Sequence, residues 1–304
     1  MVRKSGKFLR KQSMIDTDDD LPSPYQWYEH QIAGHHPSVI KNGLRQIGII
    51  KNPNNDRVLL KVVQDDARGI CEEQLYKDIV DAHQNDRTDN PIFYDLFNLV
   101  PQFFGTRSLV IGKRQKVYKF LELEDILSSY SQPCVMDIKI GRVSFDPKAS
   151  NEKKISELKK SPFQQECGFR ILGYRLSDEH NFPKIKDRDW GRTRDSETMD
   201  DAFAEFLNGR PKDADILAAE FLRRVHIVQD YFNTQNSLQF YASSLLFVYE
   251  GDKTKKPNVD VKMIDFSHVF RVQNARDENY IAGIHYICKV LTRLIQKSIN
   301  NRLT

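Results

Sequence analysis

The stretch Pro133-Cys134-Val135-Met136-Asp137-Ile138-Lys139-Ile140-Gly141 places two opposite charges inside an otherwise apolar segment. Residues 134–140 have the length and composition of a buried β-strand. Asp137 and Lys139 are two positions apart, so on a strand both side chains face the same side of the sheet. One interpretation is a surface ion pair, which would contribute little to stability. The other is a site in which a carboxylate orients an acceptor hydroxyl beside a cation that binds phosphate.

Two further segments carry residue types that bind ATP. Lys61 lies within the apolar run 58–63, and Glu72 lies in the helix predicted to follow it. A strand lysine held by a helix glutamate binds the ATP phosphates in protein kinases. Asp265 ends an apolar strand and precedes Phe-Ser, where the metal-binding motif of kinases has Phe-Gly. Taken singly, Lys61 is equally compatible with an exposed lysine on an edge strand. Asp265, taken singly, is more typical of an aspartate that begins a turn.

Several protein classes are excluded by motifs that the sequence lacks. The chain has 304 residues, a net charge of +4 and four scattered cysteines without metal-ligand spacing. It contains no G-x-x-x-x-G-K-[ST], no H-R-D and no G-x-G-x-x-G, which excludes a P-loop enzyme and an ordinary protein kinase. No apolar run is long enough for a transmembrane helix, and the basic N-terminal block lacks the apolar core of a signal peptide. We therefore expect a protein of the nucleus and cytoplasm, without a nucleic-acid partner.

The order of strand and helix patterns predicts an α+β fold. Strands lead the first half and helices dominate the second, with residues 52–56 as the turn of a hairpin. Ile70 and Ile216 are placed on the apolar faces of the first and third helices, and residues 190–196 are predicted to form a polar loop. The predicted strands are 44–51, 58–63, 117–121, 134–140, 169–175, 239–250 and 261–266; the predicted helices are 68–83, 199–208, about 213–232 and 278–299.

Four sequence elements together resemble the inositol polyphosphate kinase family. Pro133–Gly141 is similar to its PxxxDxKxG signature, and Ser243–Leu246 resembles its SSLL element. Ile264–Phe266 resembles its IDF element, and Gln31–His35 its Q-[VI]-A-G-H element. The resemblance implies a two-lobed fold like those of protein kinases and ATP-grasp enzymes, with ATP in the cleft. It divides the chain into a disordered tail (1–24), a strand-rich N-lobe (25–125) and a C-lobe (126–304).

The resemblance also implies roles for individual residues, with ATP and Mg²⁺ as cofactors. Asp137 and Lys139 are the implied catalytic residues, and Asp265 the implied metal ligand. The implied ATP-binding residues are Lys61, Glu72, Glu124, Ile126 and Asp137, with Glu124 and Ile126 contacting adenine through their backbone. The implied substrate-binding residues are Lys139, Lys153, Lys160, His268 and Arg68. The lysines of residues 151–160 are also compatible with a solvated helix face.

Within this family, the sequence resembles the multikinases most. The segment of about 142–168, which carries the implied substrate lysines, is short, and a short lid admits several phosphate arrangements. The expected activity is transfer of phosphate from ATP to inositol trisphosphate and tetrakisphosphate, towards the pentakisphosphate. The alternatives are an inositol hexakisphosphate kinase and a non-catalytic inositol-phosphate-binding scaffold. The expected partners are inositol polyphosphates, and the resemblance also permits a phosphoinositide lipid.

Overall fold

A computed structural model describes residues 21–30, 32, 40–41, 44–45, 47–113, 115–177 and 183–303. Its main features are two antiparallel five-stranded sheets, one from each half of the chain. The α+β class predicted from the sequence is confirmed by the described elements. The predicted tail, 1–24, lies outside the described residues up to position 20, and Leu21 packs against a small apolar cluster of the first sheet.

The first sheet has the strand order β1-β4-β5-β7-β6 and carries α1 on one side. The predicted hairpin is confirmed: β4 pairs with β5, and the amide of Asn55 donates to the carbonyl of Asn52 at 2.9 Å in the turn. The elements of this half are β1 (Gln26–Trp27), β2 (Ile40–Lys41), β3 (Leu44–Arg45), β4 (Ile49–Lys51), β5 (Val58–Val62), α1 (Ala67–Gln84), α2 (Pro91–Leu96), β6 (Phe103–Ile111) and β7 (Lys116–Glu124).

The second sheet has the strand order β10-β9-β8-β12-β13, and β11 pairs separately with β14. Short 3₁₀ turns occur at Ile126–Ser129 and Pro211–Asp213. The other elements are β8 (Pro133–Ile140), α3 (Asn151–Lys160), α4 (Gln164–Cys167), β9 (Phe169–Leu176), β10 (Lys184–Lys186), α5 (Arg188–Arg192), α6 (Met199–Leu207), α7 (Ala214–Thr234), β11 (Leu238–Phe240), β12 (Ser244–Glu250), β13 (Val259–Ile264), β14 (Val269–Arg271) and α8 (Glu278–Leu303).

The central strand β8 has one apolar face and one charged face. Met136, Ile138 and Ile140 are fully buried in the main core, which α6, α7 and α8 cover. Asp137 and Lys139 project from the opposite face, as the spacing in the sequence predicts. Because both flanking strands supply side chains to the apolar face, β8 is held in place by the core while its charged face remains available.

The register of the second sheet places another cation on the charged face of β8. Lys139 lies opposite Ser244 of β12 and Arg170 of β9, while Asp137 lies opposite Leu246 and Gly173. Residues directly opposite each other in an antiparallel pair share a face of the sheet. The side chain of Arg170 therefore lies on the same face as Asp137 and Lys139.

Helix α1 connects the two halves of the molecule. Its residues Leu75, Tyr76 and Ile79 belong to the same apolar cluster as the core of the second sheet. Ile70, placed on this apolar face by the sequence analysis, is 70% exposed, so that assignment is wrong. The buried face runs through Glu72, and at 100° per residue Ile70 points to the opposite side of the helix.

Other sequence assignments also need correction. Ile216 is exposed because the buried stripe of α7 begins one residue later, at Leu217. Part of the predicted loop 190–196 is helical, because Asp187 caps α5 by accepting the amides of Asp189 and Trp190. The predicted strand 239–250 is broken into β11 and β12 at Ala242, which has a positive φ of 56°. Strand β6, with Gly105 and several polar residues, was not predicted.

Candidate active site

A cavity of about 310 Å³ lies between the two sheets. The first sheet contributes Leu59, Lys61 and Leu123 to its walls, and the second sheet contributes Val135, Asp137 and Lys139. Apolar side chains form much of its surface, and Asp265 and His268 also contribute to its walls. This combination of an apolar wall and a few convergent polar groups is typical of a site for a small molecule or cofactor.

Lys61 forms two ion pairs at the centre of this cavity. Its Nζ lies 2.7 Å from Oε1 of Glu72 and 2.5 Å from Oδ1 of Asp265. Burial alone would lower the pKa of Lys61, but Asp265 and Glu72 outweigh burial and raise it. The lysine is therefore held as a cation at neutral pH, and the sequence-predicted pairing of Lys61 with Glu72 is observed.

Glu72 also fixes the chain next to Asp265. Its Oε1 accepts the backbone amide of Phe266 at 3.0 Å, and the ring of Phe266 is fully buried in the core. Asp265 itself has a positive φ of 66°, a conformation that aspartate adopts more readily than most residues. The hydrogen bond from the Phe266 amide to Glu72 and the burial of the Phe266 ring fix the chain on one side of Asp265. Together with the positive φ of Asp265, they direct its carboxylate into the cavity instead of the core.

Asp137 faces Asp265 across the charged end of the cavity. Burial, and secondly the negative charge of Asp265, raises the pKa of Asp137 to about 6. Its Oδ1 is buried and has no hydrogen-bond partner among the described residues. An orphaned carboxylate oxygen beside a second carboxylate suits a cation, and Mg²⁺ is often held by one or two carboxylates together with substrate phosphates. The residues thus fit Mg²⁺, although the described residues form no metal-binding cluster of three or more acidic, His or Cys side chains.

Lys139 lies beside Asp137 in the cavity wall. Its Nζ donates to the carbonyl of Ala242 at 3.0 Å, at the break between β11 and β12. Burial lowers the pKa of Lys139, and the neighbouring Arg170 lowers it further, while Asp265 opposes both. An ammonium group in this setting gains from a bound anion, because an anion replaces the hydration that burial removes.

The connection between the two sheets lines the other end of the cavity. Glu124 and Ile126, the predicted adenine contacts, are both in its wall. Asp125 lies between them and is buried, accepting the hydroxyl of Tyr28 at 2.7 Å and the ammonium of Lys51 at 2.5 Å. These bonds hold the connection in place. Neither Asp125 nor Tyr28 was predicted as a site residue, because their partners are distant along the chain.

The predicted substrate-binding residues divide into two groups. Arg68 and His268 line the cavity with Lys139. Lys153 and Lys160 belong to α3, and no residue of this helix lines the cavity. Lys153 is exposed but close enough to His268 to help lower the pKa of that imidazole, which burial lowers first. Lys160 is paired with Glu157.

Two arginines near the site were missed in the sequence. Arg170 is buried on the charged face, and Arg188 at the start of α5 acts electrostatically on both Asp137 and Arg170. Arg170 lies in an apolar strand, so the reasoning applied to Lys139 would have found it. Arg188 carries no such signal, because α5 was taken for a loop. Of the element Gln31–His35, only Ile32 is described, and it lines the cavity.

Comparison with known proteins identifies the family. Residues 120–292, more than half of the chain, match the family model described as inositol polyphosphate kinase. This chain belongs to the inositol polyphosphate kinase family. Human inositol polyphosphate multikinase is 30% identical over 280 residues, which cover 90% of this chain and 64% of the human protein. Mouse inositol hexakisphosphate kinase 3 is 30% identical over 202 residues, covering 58% of this chain and 51% of that protein.

A solved structure supports the fold of this family member. The crystal structure of an inositol phosphate multikinase from S. cerevisiae, in complex with ADP and Mn²⁺, superposes with a TM-score of 0.63 and 21% identity. The match covers 79% of this chain and 99% of the yeast chain. The kinase-like fold implied by the sequence is thereby confirmed. Within the described residues, the helices include none with the length and apolar character needed to cross a bilayer.

Proposed function

We propose that this protein is an ATP-dependent inositol polyphosphate kinase of the multikinase type. Its acceptors are inositol trisphosphate and tetrakisphosphate, which it phosphorylates towards the pentakisphosphate. One observation carries the proposal: Lys61, Asp265, Asp137 and Lys139 converge on one cavity between the two sheets. The similarity to human inositol polyphosphate multikinase, over 90% of this chain, supports the same function.

The proposed nucleotide site uses both ends of the cavity. Glu124 and Ile126 contact adenine through their backbone, and Lys61, steadied by Glu72, binds the ATP phosphates. Asp265 holds Mg²⁺, with Asp137 beside it, and the ion neutralises phosphate charge when bound. Phosphoryl transfer depends mainly on positioning and on electrostatic stabilisation, so these contacts account for the ATP side of the reaction.

The proposed acceptor site is the cationic face next to Asp137. Each phosphate of the acceptor carries about −1.5 to −2 charges at neutral pH. Lys139 and Arg68 lie in the cavity wall with His268 and bind these phosphates. Lys153 and Lys160 on α3 lie outside that wall and add positive charge that attracts the acceptor. Asp137 orients the attacking hydroxyl, because its carboxylate projects from the same face of β8 as Lys139 and both line the cavity.

The molecule acts as two lobes in this proposal, an N-lobe of residues 25–125 and a C-lobe of residues 126–304. The first sheet ends at Glu124 and the second begins at Pro133, which supports a boundary between them. We place the protein in the nucleus and cytoplasm, because a basic block near the start of the chain is typical of nuclear import. Replacing the lysines of that block in a fluorescent fusion tests this, and unchanged nuclear signal would contradict it.

The proposal is tested by an acceptor panel. The protein is incubated with Mg-ATP and, separately, with inositol tris-, tetrakis- and hexakisphosphate and with a phosphoinositide in vesicles, and the products are separated by chromatography. We expect conversion of the trisphosphate and tetrakisphosphate to the pentakisphosphate. Turnover of the hexakisphosphate alone would favour the hexakisphosphate kinase, to whose mouse form the chain is also similar. Binding without turnover would favour a scaffold.

A further inference from the structure

Helix α3 carries one carboxylate that turns inward among its lysines. Glu157 is half-buried, whereas Glu152, in the first turn of the same helix, is exposed. The carboxylate of Glu157 pairs with the ammonium of Lys160 and lies 3.6 Å from the guanidinium of Arg170. Burial alone would raise the pKa of Glu157, but Lys160, Arg170 and then Lys139 outweigh it and lower that pKa. Glu157 is therefore an anion surrounded by three cations.

Arg170 needs an anion at this position. Only 9% of its side chain is exposed, and it donates to Oε1 of Gln164 at 3.1 Å. Glu157 is the one carboxylate in ion-pair range of Arg170 within the described ranges. A buried charge left without a partner is strongly destabilising, so some anion must face this guanidinium.

The same position adjoins the proposed acceptor site. Arg170 lies directly opposite Lys139 in the sheet, on the face that also carries Asp137. Lys139 lines the cavity, and Glu157 is close enough to act on its pKa. Arg170 and Glu157 therefore lie close to the ammonium that binds an acceptor phosphate in the proposed function, just outside the cavity wall itself.

We propose that Glu157 is an internal competitor for one phosphate of the acceptor. In the empty protein its carboxylate occupies the anion position formed by Lys160 and Arg170 beside Lys139, and an acceptor phosphate displaces it. This inference rests on the proposed function, because it assumes an inositol phosphate in the adjoining site. A phosphate carries more negative charge than a carboxylate, so the exchange favours acceptors with a phosphate at this place. Acceptors without one leave Glu157 where it is and gain nothing from Lys160 and Arg170.

Glu157→Gln tests the exchange, with Glu152→Gln as the matched control on the same helix. The competitor is removed, so we expect the Kd for inositol trisphosphate, measured by calorimetry without ATP, to fall about fivefold, the equivalent of one partly exposed ion pair. The Tm of the empty Glu157→Gln protein falls, since Arg170 loses its counter-ion. At saturating inositol trisphosphate the Tm of Glu157→Gln equals that of wild-type protein at the same ligand concentration, because the phosphate now pairs with Arg170. The control variant leaves the Kd unchanged, and any fall in its Tm, from loss of a first-turn carboxylate, persists at saturating inositol trisphosphate.

Three results would overturn the exchange. An unchanged or higher Kd shows that Glu157 does not compete. A lower Kd with an unchanged Tm of the empty protein shows a general charge effect instead of displacement. A fall in Tm that persists with ligand shows a purely structural ion pair. If Glu157→Gln does not fold, the comparison is made in an Arg170→Gln background, where loss of Glu157 should still lower the Kd through Lys160; no fall there contradicts the proposal.

Failure of the exchange and failure of the proposed function are distinguishable. Calorimetry without ATP measures only whether the acceptor binds and whether Glu157 opposes it. Wild-type protein that binds no inositol phosphate at all would refute the proposed function and, with it, the exchange. Wild-type protein that binds and phosphorylates inositol trisphosphate, but whose affinity is indifferent to Glu157, would refute the exchange alone.

Discussion

At the scale of single residues, Glu72 organises the proposed ATP site. It is 2% exposed, and one of its oxygens binds both the ammonium of Lys61 and the amide of Phe266. Through these bonds α1 fixes a strand of the first sheet and the chain that carries Asp265. A neutral side chain at this position would leave Lys61 with one carboxylate partner instead of two.

Glu72→Gln should weaken the site and the fold together. We expect the free energy of unfolding to fall by about 1–3 kcal/mol, the usual cost of an impaired buried charged hydrogen bond. The Kd for Mg-ATP should rise about tenfold, because Lys61 is no longer held in place. Urea unfolding and calorimetry measure the two effects. Glu73→Gln, which breaks surface pairs with Lys77 and Lys119, is the control and should change both by little; equal effects of the two variants would contradict this role.

Lys139→Ala should affect the acceptor more than ATP. Its ammonium lines the part of the cavity proposed to bind the acceptor, so we expect KM for inositol trisphosphate to rise and kcat to fall, with KM for ATP unchanged. Steady-state kinetics in both substrates separate these effects. Lys262→Ala, on β13 of the same sheet, is the control, because Lys262 donates to the carbonyl of Asn98 outside the cavity. Unchanged kinetics of the Lys139 variant would remove this lysine from the site.

At the scale of secondary-structure elements, Asp277 fixes the start of α8 against the second sheet. Its carboxylate accepts the amide of Tyr280 in the first turn at 2.9 Å and the amide of Phe240 in β11 at 2.6 Å. Burial raises the pKa of Asp277 to about 6, although the hydrogen bonds donated by these backbone amides oppose the rise. Because the pKa is higher in the folded state than in the unfolded chain, its contribution to stability is largest below pH 4 and is lost as pH rises through 6.

Asp277→Asn should remove this pH dependence and keep the bond from the Tyr280 amide, because asparagine also caps helices. Its single acceptor oxygen loses the bond from the Phe240 amide, which costs the same stability at every pH. Relative to wild type, the variant should gain about 2–3 kcal/mol in free energy of unfolding between pH 4 and pH 7.5, since a pKa shift of one unit corresponds to about 1.4 kcal/mol. Urea unfolding of both proteins at the two pH values measures the difference. A difference that stays constant with pH would contradict the raised pKa.

The sequence predicted elements where their pattern was regular and failed where tertiary contacts decide. Strand β8 and helix α8 were predicted because their apolar residues repeat with the correct period. Helix α5 is short and polar, and its stability comes from the Asp187 cap and from Trp190 packing on Tyr174 with ring centroids 5.1 Å apart. Ile70 was misplaced because the buried face of α1 is defined by Glu72, a charged residue that no apolar pattern would assign to a core.

At the scale of the whole molecule, the proposed active site exists only because two sheets meet. Lys61 and Asp265 are 204 positions apart in the chain, but Nζ of Lys61 lies 2.5 Å from Oδ1 of Asp265. The sequence predicted these residues and their roles through motifs, but the ion pairs, the raised pKa of Asp137 and the position of Arg170 depend on the register and packing of both sheets. Local patterns carry no information about such distances.

Mg-ATP should stabilise the whole molecule, because it contacts both sheets and binds only the folded state. At a concentration of Mg-ATP about 100 times its Kd, the gain in free energy of unfolding is about 2.7 kcal/mol. Differential scanning calorimetry with and without Mg-ATP measures it as a rise in Tm. No rise at saturating nucleotide would show that the cavity does not bind ATP.

The most direct test of the central claim compares Asp265→Asn with Asp260→Asn in the rate of phosphate transfer from Mg-ATP to inositol trisphosphate. Both aspartates belong to the same stretch of chain, but Asp260 faces Arg224 and Lys262 outside the cavity. We predict that Asp265→Asn lowers kcat by at least about 10²-fold, the scale seen when a group that stabilises transition-state charge is lost. The circular dichroism spectrum of this variant should be unchanged. Asp260→Asn should retain wild-type turnover. Wild-type turnover in a folded Asp265→Asn protein would contradict the account.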